Sequence, residues 1–403
     1  MKIAYVTMQF PVASETFAAV ELRALRRLGA EVTVLTYRAP PPRAAEMLAE
    51  RGLADLRVDQ GSAGSVLQGL LLAVLKPADA GYLLAMIIRH CWRRPMHLAK
   101  ALALAPRSLV LLQRIAALRP EVVHLFWGHY PSLLGLLVQR RLPATALSQF
   151  LGAYDLEERF APSARLAQRV RLLLTHAKAN LPAIAGLGVD PEQVRISYRG
   201  VEVPDPLPGP AKQPGLMVIA ERLVPQKRSA DALRVFATLR RALPEARLRV
   251  LGAGPELQPL KDLAAELELG SSVSFLGHVP HDQALGHLAE AQVLLTMSQS
   301  PSERLPNALK EAMLRRCVCL SARSPGIEEL IEDGVTGLLV EAGDNEAAAR
   351  RLASLLADAP AADQMADRAQ ACVAERFNVD RLMADRLAQW AALRRSGAAE
   401  GSG

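Results

Sequence analysis

The sequence predicts an α/β protein with two doubly wound parallel-sheet domains that face each other across a cleft. Three observations support this prediction. The chain has 403 residues, more than one hydrophobic core usually serves. Apolar strands alternate with amphipathic helices in both halves, and a proline-rich stretch separates the halves. Half of the residues are apolar and 22% are charged, which is typical of globular proteins.

The first half, residues 1–203, alternates strands and helices from the start of the chain. The predicted strands cover 3–7, 31–37, 122–126 and 145–150, and a helix over about 15–28 follows the first strand. A long, mostly helical insertion with apolar faces and basic edges lies between about 65 and 118. This insertion either packs on the first sheet or rests on an anionic lipid bilayer, with Trp92 and the arginines at the interface.

The second half begins after a predicted linker at 204–214, where closely spaced prolines prevent a regular element. Residues 215–376 then repeat the alternation. The predicted strands lie near 216–220, 247–251, 273–275, 292–296 and 317–320, and an amphipathic helix over about 229–243 follows the first of them. This pattern predicts a second doubly wound sheet.

The charge balance narrows the choice of partners. The 48 Lys and Arg residues exceed the 41 Asp and Glu residues, and the net charge of +7 suits phosphate or an anionic lipid. Aromatic residues make up only 4%, and the arginines are scattered among acidic residues. No nucleic-acid binding is therefore expected, because that function needs a concentrated basic face with aromatic platforms.

The cysteines and the N-terminus indicate a cytoplasmic protein. The four cysteines lack the spacing of a zinc site, and Cys317 and Cys319 are typical of a buried strand. The N-terminus shows no signal sequence, and no uninterrupted apolar run reaches about eighteen residues. We expect no membrane-spanning segment and, at most, a peripheral position at the inner face of the cell membrane.

Two carboxylates flank a predicted helix start in the second half. Pro306 suits the first helical position, so residues 307–313 should be helical and Glu303 should lie in the preceding loop. Glu311 then lies about 6–8 Å along the axis, near the positive end of the helix. The two carboxylates can hold the two ends of a polyhydroxylated ligand, although each alone is also typical of a solvated surface.

Two cations follow the first predicted strand of the second half. Arg222 and Lys227 lie at its carboxyl end, where open parallel sheets bind their ligands. A guanidinium and an ammonium fixed there can hold a diphosphate. A solvated basic turn is the alternative interpretation.

The first half offers further candidates at its strand ends. Ser14, beside Glu15 and Thr16, is a predicted N-cap, so the following helix would direct its positive end into the cleft. His129 follows the strand over 122–126, and Asp155 follows the strand over 145–150. A lone His near a turn is more often structural than functional, but a position at a strand end favours a ligand contact.

Taken together, these motifs resemble the family 4 retaining glycosyltransferases, whose GT-B architecture places a nucleotide-sugar site between two Rossmann-like domains. The resemblance covers nearly the whole chain. Its most specific segments are Glu303-x7-Glu311, Arg222 with Lys227, Leu-Gly252-Ala-Gly254-Pro-Glu, Phe275-Leu-Gly277-His-Val279-Pro, and Ser-Pro-Gly326 through Gly337.

The resemblance implies roles for individual residues. Arg222 and Lys227 would neutralise the leaving diphosphate. Glu303 would hold sugar hydroxyls, Glu311 would bind the ribose and His129 would contact the donor sugar. The other implied positions are Leu305, Pro306, Asn307, Gly252, Gly254 and Val279 on the donor side, and Ser14, Glu15, Thr16 and Asp155 on the acceptor side or in the cleft. A final helix over 377–396 would cross back to the first domain.

The expected cofactors follow from how the negative charge of the leaving diphosphate is neutralised. Many glycosyl-transfer enzymes use a metal held by Asp-x-Asp, but this sequence lacks that triplet and supplies Arg, Lys and a helix end instead. We therefore expect no metal and no other cofactor, with the nucleotide sugar as co-substrate. The sequence departs from the family pattern at Ala220 and Arg304, where Gly is common, and it lacks the His that often precedes Gly152.

The resulting hypothesis is a retaining transferase that moves a hexose from a UDP or GDP donor to a saccharide or lipid-linked saccharide acceptor in cell-surface polysaccharide biosynthesis. Two alternatives remain open. A nucleotide-sugar epimerase of the same fold would need acid and base groups beside the sugar ring. A non-catalytic nucleotide-sugar-binding or scaffold protein, suggested by Arg304 and Ala220, would bind the donor without turnover.

Overall fold

The computed structural model of the chain describes residues 1–12, 15–209, 212–300 and 303–400. The chain divides into two compact units. Unit 1 contains Met1–Gly200 and the C-terminal helix that begins at Val379, and unit 2 contains Val201–Asn378. Each unit is built around a parallel sheet covered by helices, so the predicted fold class of two doubly wound α/β units is confirmed.

The sheet of unit 1 contains seven parallel strands within the described residues. They are β1 (Lys2–Thr7), β2 (Glu31–Thr36), β3 (Arg57–Asp59), β4 (Val122–Leu125), β5 (Ala146–Phe150), β6 (Leu172–Thr175) and β7 (Val194–Ile196). Their order is β3-β2-β1-β4-β5-β6-β7, with Ile3 beside Val32 on one side and Val122 on the other. The order reverses between β1 and β4, which is where doubly wound sheets bind ligands.

Helices follow most strands of unit 1. They are α1 (Thr16–Arg27), α2 (Ala44–Glu50), α3 (Ala63–Leu75), α4 (Pro77–Cys91), α5 (Pro95–Leu118), α6 (Ser132–Arg141), α7 (Ala153–Glu158), α8 (Ala161–Ala167) and α9 (Leu181–Ala185). The N-cap position of α1 is Glu15, one residue after the predicted Ser14. Ser14 itself lies outside the described residues.

Helices α3, α4 and α5 form the predicted helical insertion, and buried polar contacts attach it to the sheet. Arg107 of α5 is buried and donates to the carbonyl of Thr36 at 2.8 and 3.0 Å and to a carboxylate oxygen of Asp59 at 2.7 Å. The hydroxyls of Tyr37 and Ser108 lie 3.0 Å apart. These bonds hold α5 at the carboxyl ends of β2 and β3.

Helix α5 differs from the expectation that nothing in the chain is suited to span a membrane. By length and composition it is long and apolar enough to cross one, as is the α3–α4 pair if its 106° bend is counted as a broken span. However, 44% of the most apolar window of α5 is buried inside the unit. Helix α5 also carries the buried Arg107, so it packs here as a core helix.

The sheet of unit 2 contains six parallel strands in the part of the chain that the structure describes. They are β8 (Gln213–Ala220), β9 (Arg247–Leu251), β10 (Val273–Gly277), β11 (Ala291–Thr296), β12 (Val318–Ala322) and β13 (Leu338–Val340). Their order is β10-β9-β8-β11-β12-β13 and reverses between β8 and β11. Strand β8 starts inside the stretch predicted as linker, because Gln213 already pairs with Ala291 of β11.

The remaining helices are α10 (Ser229–Arg240), α11 (Leu257–Glu266), α12 (His281–Glu290), α13 (Asn307–Leu314), α14 (Asn345–Ala357), α15 (Ala359–Arg376) and α16 (Val379–Glu400). Helix α13 was predicted over the correct residues, but Pro306 is its N-cap residue rather than its first helical residue. Pro306 has a ψ of 133°, which ends the preceding loop in an extended conformation. Helix α16 is part of unit 1 and packs against α1.

A buried polar network fixes α16 to the core of unit 1. Arg386 donates to Glu21 of α1 at 2.7 Å, and the two side chains are 0% and 1% exposed. Arg386 also donates to Ser197 at 2.7 and 3.2 Å. Trp390, fully buried, donates to Ser148 of β5 at 2.9 Å. The last helix is therefore an integral part of the first sheet's packing.

We predict that Arg386→Met lowers the free energy of unfolding of unit 1 by about 3–5 kcal/mol, because the substitution leaves the Glu21 carboxylate buried without its guanidinium. Urea denaturation followed by circular dichroism measures the change. The double variant Glu21→Gln/Arg386→Met should recover much of the loss, since it removes both charges. A loss below about 1 kcal/mol in the single variant would contradict this account.

Candidate functional site

The main polar cluster of unit 2 lies at the carboxyl ends of β8 and β11. The 3-10 turn Pro225–Lys227 follows β8, and Glu303 precedes α13. Lys227 Nζ lies 2.6 and 2.7 Å from the two carboxylate oxygens of Glu303, and Ser298 Oγ donates to Glu303 at 2.7 Å. The Lys227 side chain is 11% exposed, so the charge pair is largely shielded from water. The structure thus brings two of the predicted site residues into direct contact.

Glu221, the first residue after β8, joins the same cluster. Its carboxylate accepts from Ser229 Oγ at 2.7 Å and from Thr296 Oγ1 at 3.2 Å. Burial raises the pKa of Glu221 to about 7, and the nearby Lys227 opposes that rise. Sequence analysis did not select Glu221 as a site residue, although its position directly after a buried strand was the same signal that selected its neighbour Arg222.

Gly252 and Gly254 allow the loop after β9 to contact the loop after β8. A Cβ at Gly252 would lie 1.8 Å from the carbonyl oxygen of Glu221, and a Cβ at Gly254 would lie 2.1 Å from that of Leu223. The Gly252 N–H donates to the carbonyl of Gly277 at 2.8 Å. These glycines therefore have a packing function that positions the Arg222 loop, and their contact with a donor stays a prediction.

The start of α13 carries a buried positive charge. Leu305 is buried and Pro306 is half-buried before the first helical residue, Asn307. Asn307 Oδ1 accepts from Lys310 Nζ at 3.1 Å, and this ammonium lies 5.3 Å from the ring centroid of Phe377. Lys310 is fully buried, so it adds to the positive potential that the helix N-terminus already creates. Sequence analysis missed Lys310, because helical lysines are usually solvated.

Glu311 lies one residue further along α13 and contacts the start of α12, directly after the loop that follows β10. Its Oε1 is 3.6 Å from Nε2 of His281, the first residue of α12. Burial raises the pKa of Glu311, and His281 opposes the rise. Val279 is half-buried two residues before His281, so this loop places Val279 and Glu311 in one region of unit 2.

Arg222, a predicted phosphate ligand, and Arg304, a departure from the family pattern, differ in their surroundings. Arg222 is exposed, and within the described residues its side chain has no hydrogen bond or ion pair. Arg304 is half-buried and directly follows Glu303. The structure therefore brings Lys227, but not Arg222, into contact with Glu303. The shared diphosphate role of Arg222 and Lys227 stays a prediction.

In unit 1, His129 and Asp155 form a buried pair at the ends of β4 and β5. Asp155 Oδ1 lies 2.6 Å from His129 Nδ1 and 3.0 Å from its backbone nitrogen. The other oxygen, Oδ2, accepts from the Gly152 N–H at 2.8 Å. Both residues are below 10% exposed, so the carboxylate fixes the orientation of the imidazole. The two predicted residues are therefore in direct contact, which their separation in sequence did not indicate.

Glu15 and Thr16 lie across the reversal point between β1 and β4. Trp127 Nε1, after β4, donates to Glu15 Oε2 at 3.2 Å, and burial raises the pKa of Glu15. Thr16 is the first residue of α1 and is half-buried. Beside them, the guanidinium of Arg199 lies 3.8 Å from the ring centroid of Phe17 and 4.7 Å from that of Trp127. Sequence analysis did not identify this buried cation.

The described part of the chain contains neither a metal-binding cluster nor a disulfide. No cluster of three or more His, Cys, Asp or Glu side chains there could hold a metal ion. Cys317 and Cys319 are free thiols, and both are buried at β12, as the sequence indicated.

Comparison with known proteins finds glycosyltransferases that are similar to this chain. Residues 208–371 match the family model described as "Glycosyl transferases group 1". A relative from Salmonella typhimurium, "Putative colanic acid biosynthesis glycosyltransferase WcaL", is 26% identical over 94% of this chain and 96% of its own length. The "Amylovoran biosynthesis glycosyltransferase AmsK" of Erwinia amylovora is 25% identical over 88% of this chain and 90% of its own length. The chain is a glycosyltransferase.

The fold of this glycosyltransferase is similar to that of Anabaena Alr3699/HepE, solved in complex with UDP-glucose. The two structures have a TM-score of 0.69 and 17% sequence identity, and the match covers 96% of this chain and 100% of the other. At this identity the likeness concerns the fold alone. Together with the two parallel sheets, it confirms the predicted GT-B fold.

Each unit of the glycosyltransferase concentrates polar side chains at the point where its strand order reverses. In unit 2, Lys227 and Glu221 follow β8 and meet Glu303 and Thr296 from the β11 side. A partly buried ammonium, carboxylates and a helix N-terminus suit a ligand with phosphate and hydroxyl groups.

We predict that titration of Glu221 makes the free energy of unfolding of unit 2 change with pH. Its pKa is higher in the folded than in the unfolded state, so the folded state binds more protons, and stability should fall by about 1–3 kcal/mol as pH rises from about 5 to about 8. Glu221→Gln should flatten this slope, because an amide does not titrate in this pH range. The amide can still bond to the hydroxyls of Ser229 and Thr296. Urea denaturation at several pH values provides the measurement.

The control for this prediction is Glu266→Gln, which changes an exposed glutamate of α11. This variant should retain the slope of the unsubstituted protein. An unchanged slope in Glu221→Gln would show that other groups titrate in this range.

Proposed function

We propose that this glycosyltransferase moves a hexose from a UDP or GDP donor to a saccharide or lipid-linked saccharide acceptor, with retention of anomeric configuration, in cell-surface polysaccharide biosynthesis. The observation that carries this proposal is the Lys227–Glu303 pair beside the N-terminus of α13. It combines a cation for a leaving phosphate with a carboxylate for sugar hydroxyls at the reversal point of a doubly wound sheet.

The donor diphosphate would bind Lys227, with Arg222 as a second cation. Lys227 is held by a short 3-10 turn and by Glu303, so its ammonium needs little reorganisation to donate a hydrogen bond to a phosphate oxygen. Arg222 is exposed and can adopt a conformation that contacts the same group. Buried Lys310 and the N–H groups of α13 favour negative charge nearby. These fixed charges would stabilise the negative charge that develops as the glycosidic bond to phosphate breaks.

The carboxylates would orient the rest of the donor. Glu303, fixed by Ser298 and Lys227, would accept hydrogen bonds from sugar hydroxyls. Glu311 would bind the ribose hydroxyls, with His281 beside it. Leu305, Pro306 and Asn307 would line the donor site between these carboxylates.

Retention would follow if the acceptor hydroxyl attacks the face from which the diphosphate departs. A departing phosphate oxygen can then accept the acceptor proton, so this mechanism requires no separate side-chain base. His129 would contact the donor sugar, and its imidazole is already oriented by Asp155. Their pairing supports a positioning role for Asp155.

The substrate classes are proposed from the named relatives and the chemistry of the site. The relatives named for colanic acid and amylovoran biosynthesis match nearly the full chain, which supports a polysaccharide acceptor. The structurally similar Anabaena protein binds UDP-glucose, which supports a nucleoside diphosphate hexose as donor. A GDP donor has the same diphosphate and remains within the proposal.

We predict that Lys227→Ala lowers the rate of hexose transfer by at least about a hundredfold, because it removes a preorganised cation from the developing phosphate charge. A thermal-shift screen of UDP-, GDP- and ADP-sugars first identifies the donor. Release of the nucleoside diphosphate in the presence of a saccharide acceptor then measures the rate, and NMR of the product reports its anomeric configuration.

Lys261→Ala is the matched control, since it removes an exposed lysine of α11. It should leave transfer unchanged. Lys227→Arg retains the charge and should keep more activity than Lys227→Ala. Transfer by folded Lys227→Ala at the unsubstituted rate would refute the assigned role.

We also propose that transfer requires no metal ion, because side-chain cations and a helix end carry out the neutralisation. Treatment with EDTA followed by desalting should then change the transfer rate by less than about twofold. Loss of activity that added Mg²⁺ restores would contradict this part of the proposal.

A further inference from the structure

Helix α3 exposes an apolar face to solvent. Val66, Leu67, Leu70, Leu71, Val74 and Leu75 are 40–76% exposed. The helix Ala63–Leu75 contains no charged residue. Single exposed leucines are ordinary, but six large apolar side chains on one short helix form a continuous patch of the kind that marks an interaction site.

The packing of α3 fixes which face points outward. Ser65, Gly69 and Leu72 are its buried residues. A Cβ at Gly69 would lie 2.2 Å from the carbonyl oxygen of Pro106, so α3 and α5 are in close contact at this point. Helix α5 is in turn bonded to the sheet through Arg107. The apolar face therefore cannot turn inward without breaking these contacts.

Helix α4, which contacts α3, exposes further apolar side chains, and an arginine lies beside one of them. Leu84, Ile88 and Trp92 recur at four-residue intervals and are 46–60% exposed. The guanidinium of Arg93 lies 4.7 Å from the centroid of the Trp92 ring. A partly exposed indole with a neighbouring arginine is typical of the boundary between hydrocarbon and lipid headgroups.

The segment that contains α3, α4 and α5 has a strongly positive net charge. Residues 63–118 contain one acidic residue, Asp79, and it is buried and paired with Arg141. The same segment contains seven basic residues, Lys76, Arg89, Arg93, Arg94, Lys100, Arg107 and Arg114. Two of them, Arg107 and Arg114, are paired with Asp59. The other five form no ion pair within the described residues, so the segment carries a net positive charge.

A basic cavity of about 620 Å³ opens between α4 and α8. Arg89, Arg165 and Arg169 line it with His90 and Tyr82. Within the described residues, none of these three arginines has a carboxylate within ion-pair distance. Burial and the adjacent Arg89 and Arg165 lower the pKa of His90, as expected where cations lie together without compensation. Such a cavity suits a phosphate group.

We propose that unit 1 docks on the surface of an anionic lipid bilayer. The outer face of α3 and the exposed residues of α4 enter the interfacial layer, and the arginine-lined cavity receives a lipid phosphate. Exposed apolar side chains and basic charge are two signals that together favour stable peripheral attachment. This inference concerns a surface distant in sequence from Lys227 and does not depend on the donor or the reaction.

The test is sedimentation of the full chain with vesicles of phosphatidylcholine, with or without phosphatidylglycerol. We expect binding to the vesicles that contain phosphatidylglycerol, weak binding to phosphatidylcholine alone, and release as salt rises. Leu67→Gln/Leu71→Gln/Val74→Gln should lower the partition coefficient by at least about tenfold on anionic vesicles, because it removes apolar area that enters the interface.

A second variant tests the basic cavity. Arg89→Gln/Arg165→Gln/Arg169→Gln should lower the partition coefficient by at least about tenfold on vesicles that contain phosphatidylglycerol. Arg195→Gln/Arg241→Gln/Arg247→Gln removes the same charge from exposed positions elsewhere, and Leu276→Gln removes an exposed leucine of unit 2. Both controls should bind vesicles as the unsubstituted chain does. Thermal unfolding verifies that each variant is folded.

Several results would overturn the proposal. One is equal vesicle binding by the α3 variant and the unsubstituted chain. Another is a dimer in light scattering that the α3 variant converts to a monomer while neither protein binds vesicles, since the face would then join two copies of the chain. If the cavity variant binds anionic vesicles as strongly as the charge control, the assignment of the cavity to a lipid phosphate is wrong.

Discussion

The side-by-side placement of β8 and β11 determines the polar cluster of unit 2. Lys227 and Glu303 are 76 positions apart in the sequence, yet they form two short contacts because each follows one of these neighbouring strands. Parallel strands put all their carboxyl ends at one edge, and the reversal of strand order separates the helices there. The same constraint places Trp127, after β4, against Glu15, after β1, in unit 1. The polar chemistry of both units thus follows from strand order.

Much of the fold could be predicted because the signals are local. Strands β1, β2, β4 and β5 and helix α13 appear within one residue of their predicted bounds, since apolar runs and a proline before a helix depend only on neighbouring residues. Strands β3 and β7 have three residues each and were not predicted. Such short segments become strands only because a neighbour pairs with them, as β2 does with β3. Information of that kind is absent from a local pattern.

Several residues of the polar clusters were selected from the sequence, but the contacts between them were not predicted. Lys227, His129 and Asp155 were selected because each follows a predicted strand, and Glu303 because it precedes a predicted helix that carries Glu311. Which of them touch depends on strand order, and Glu221 was missed because a carboxylate after a strand resembles an ordinary turn residue. The hydroxyls of Ser229 and Thr296 that bind it come from two different elements. The glycines at 252 and 254 were recognised, but the backbone carbonyls that require them were not.

The contribution of α16 to the first core has a consequence for biosynthesis. Val379, Met383 and Trp390 belong to the same apolar cluster as residues of β1, β2 and α1. A ribosome synthesises this segment after unit 2, so the interior of the nascent unit 1 stays incomplete while the contiguous unit 2 is synthesised in full. The earlier-translated half is then the later one to mature. Its unfinished surface, which includes the Glu21 carboxylate, is the part that most needs protection by chaperones during translation.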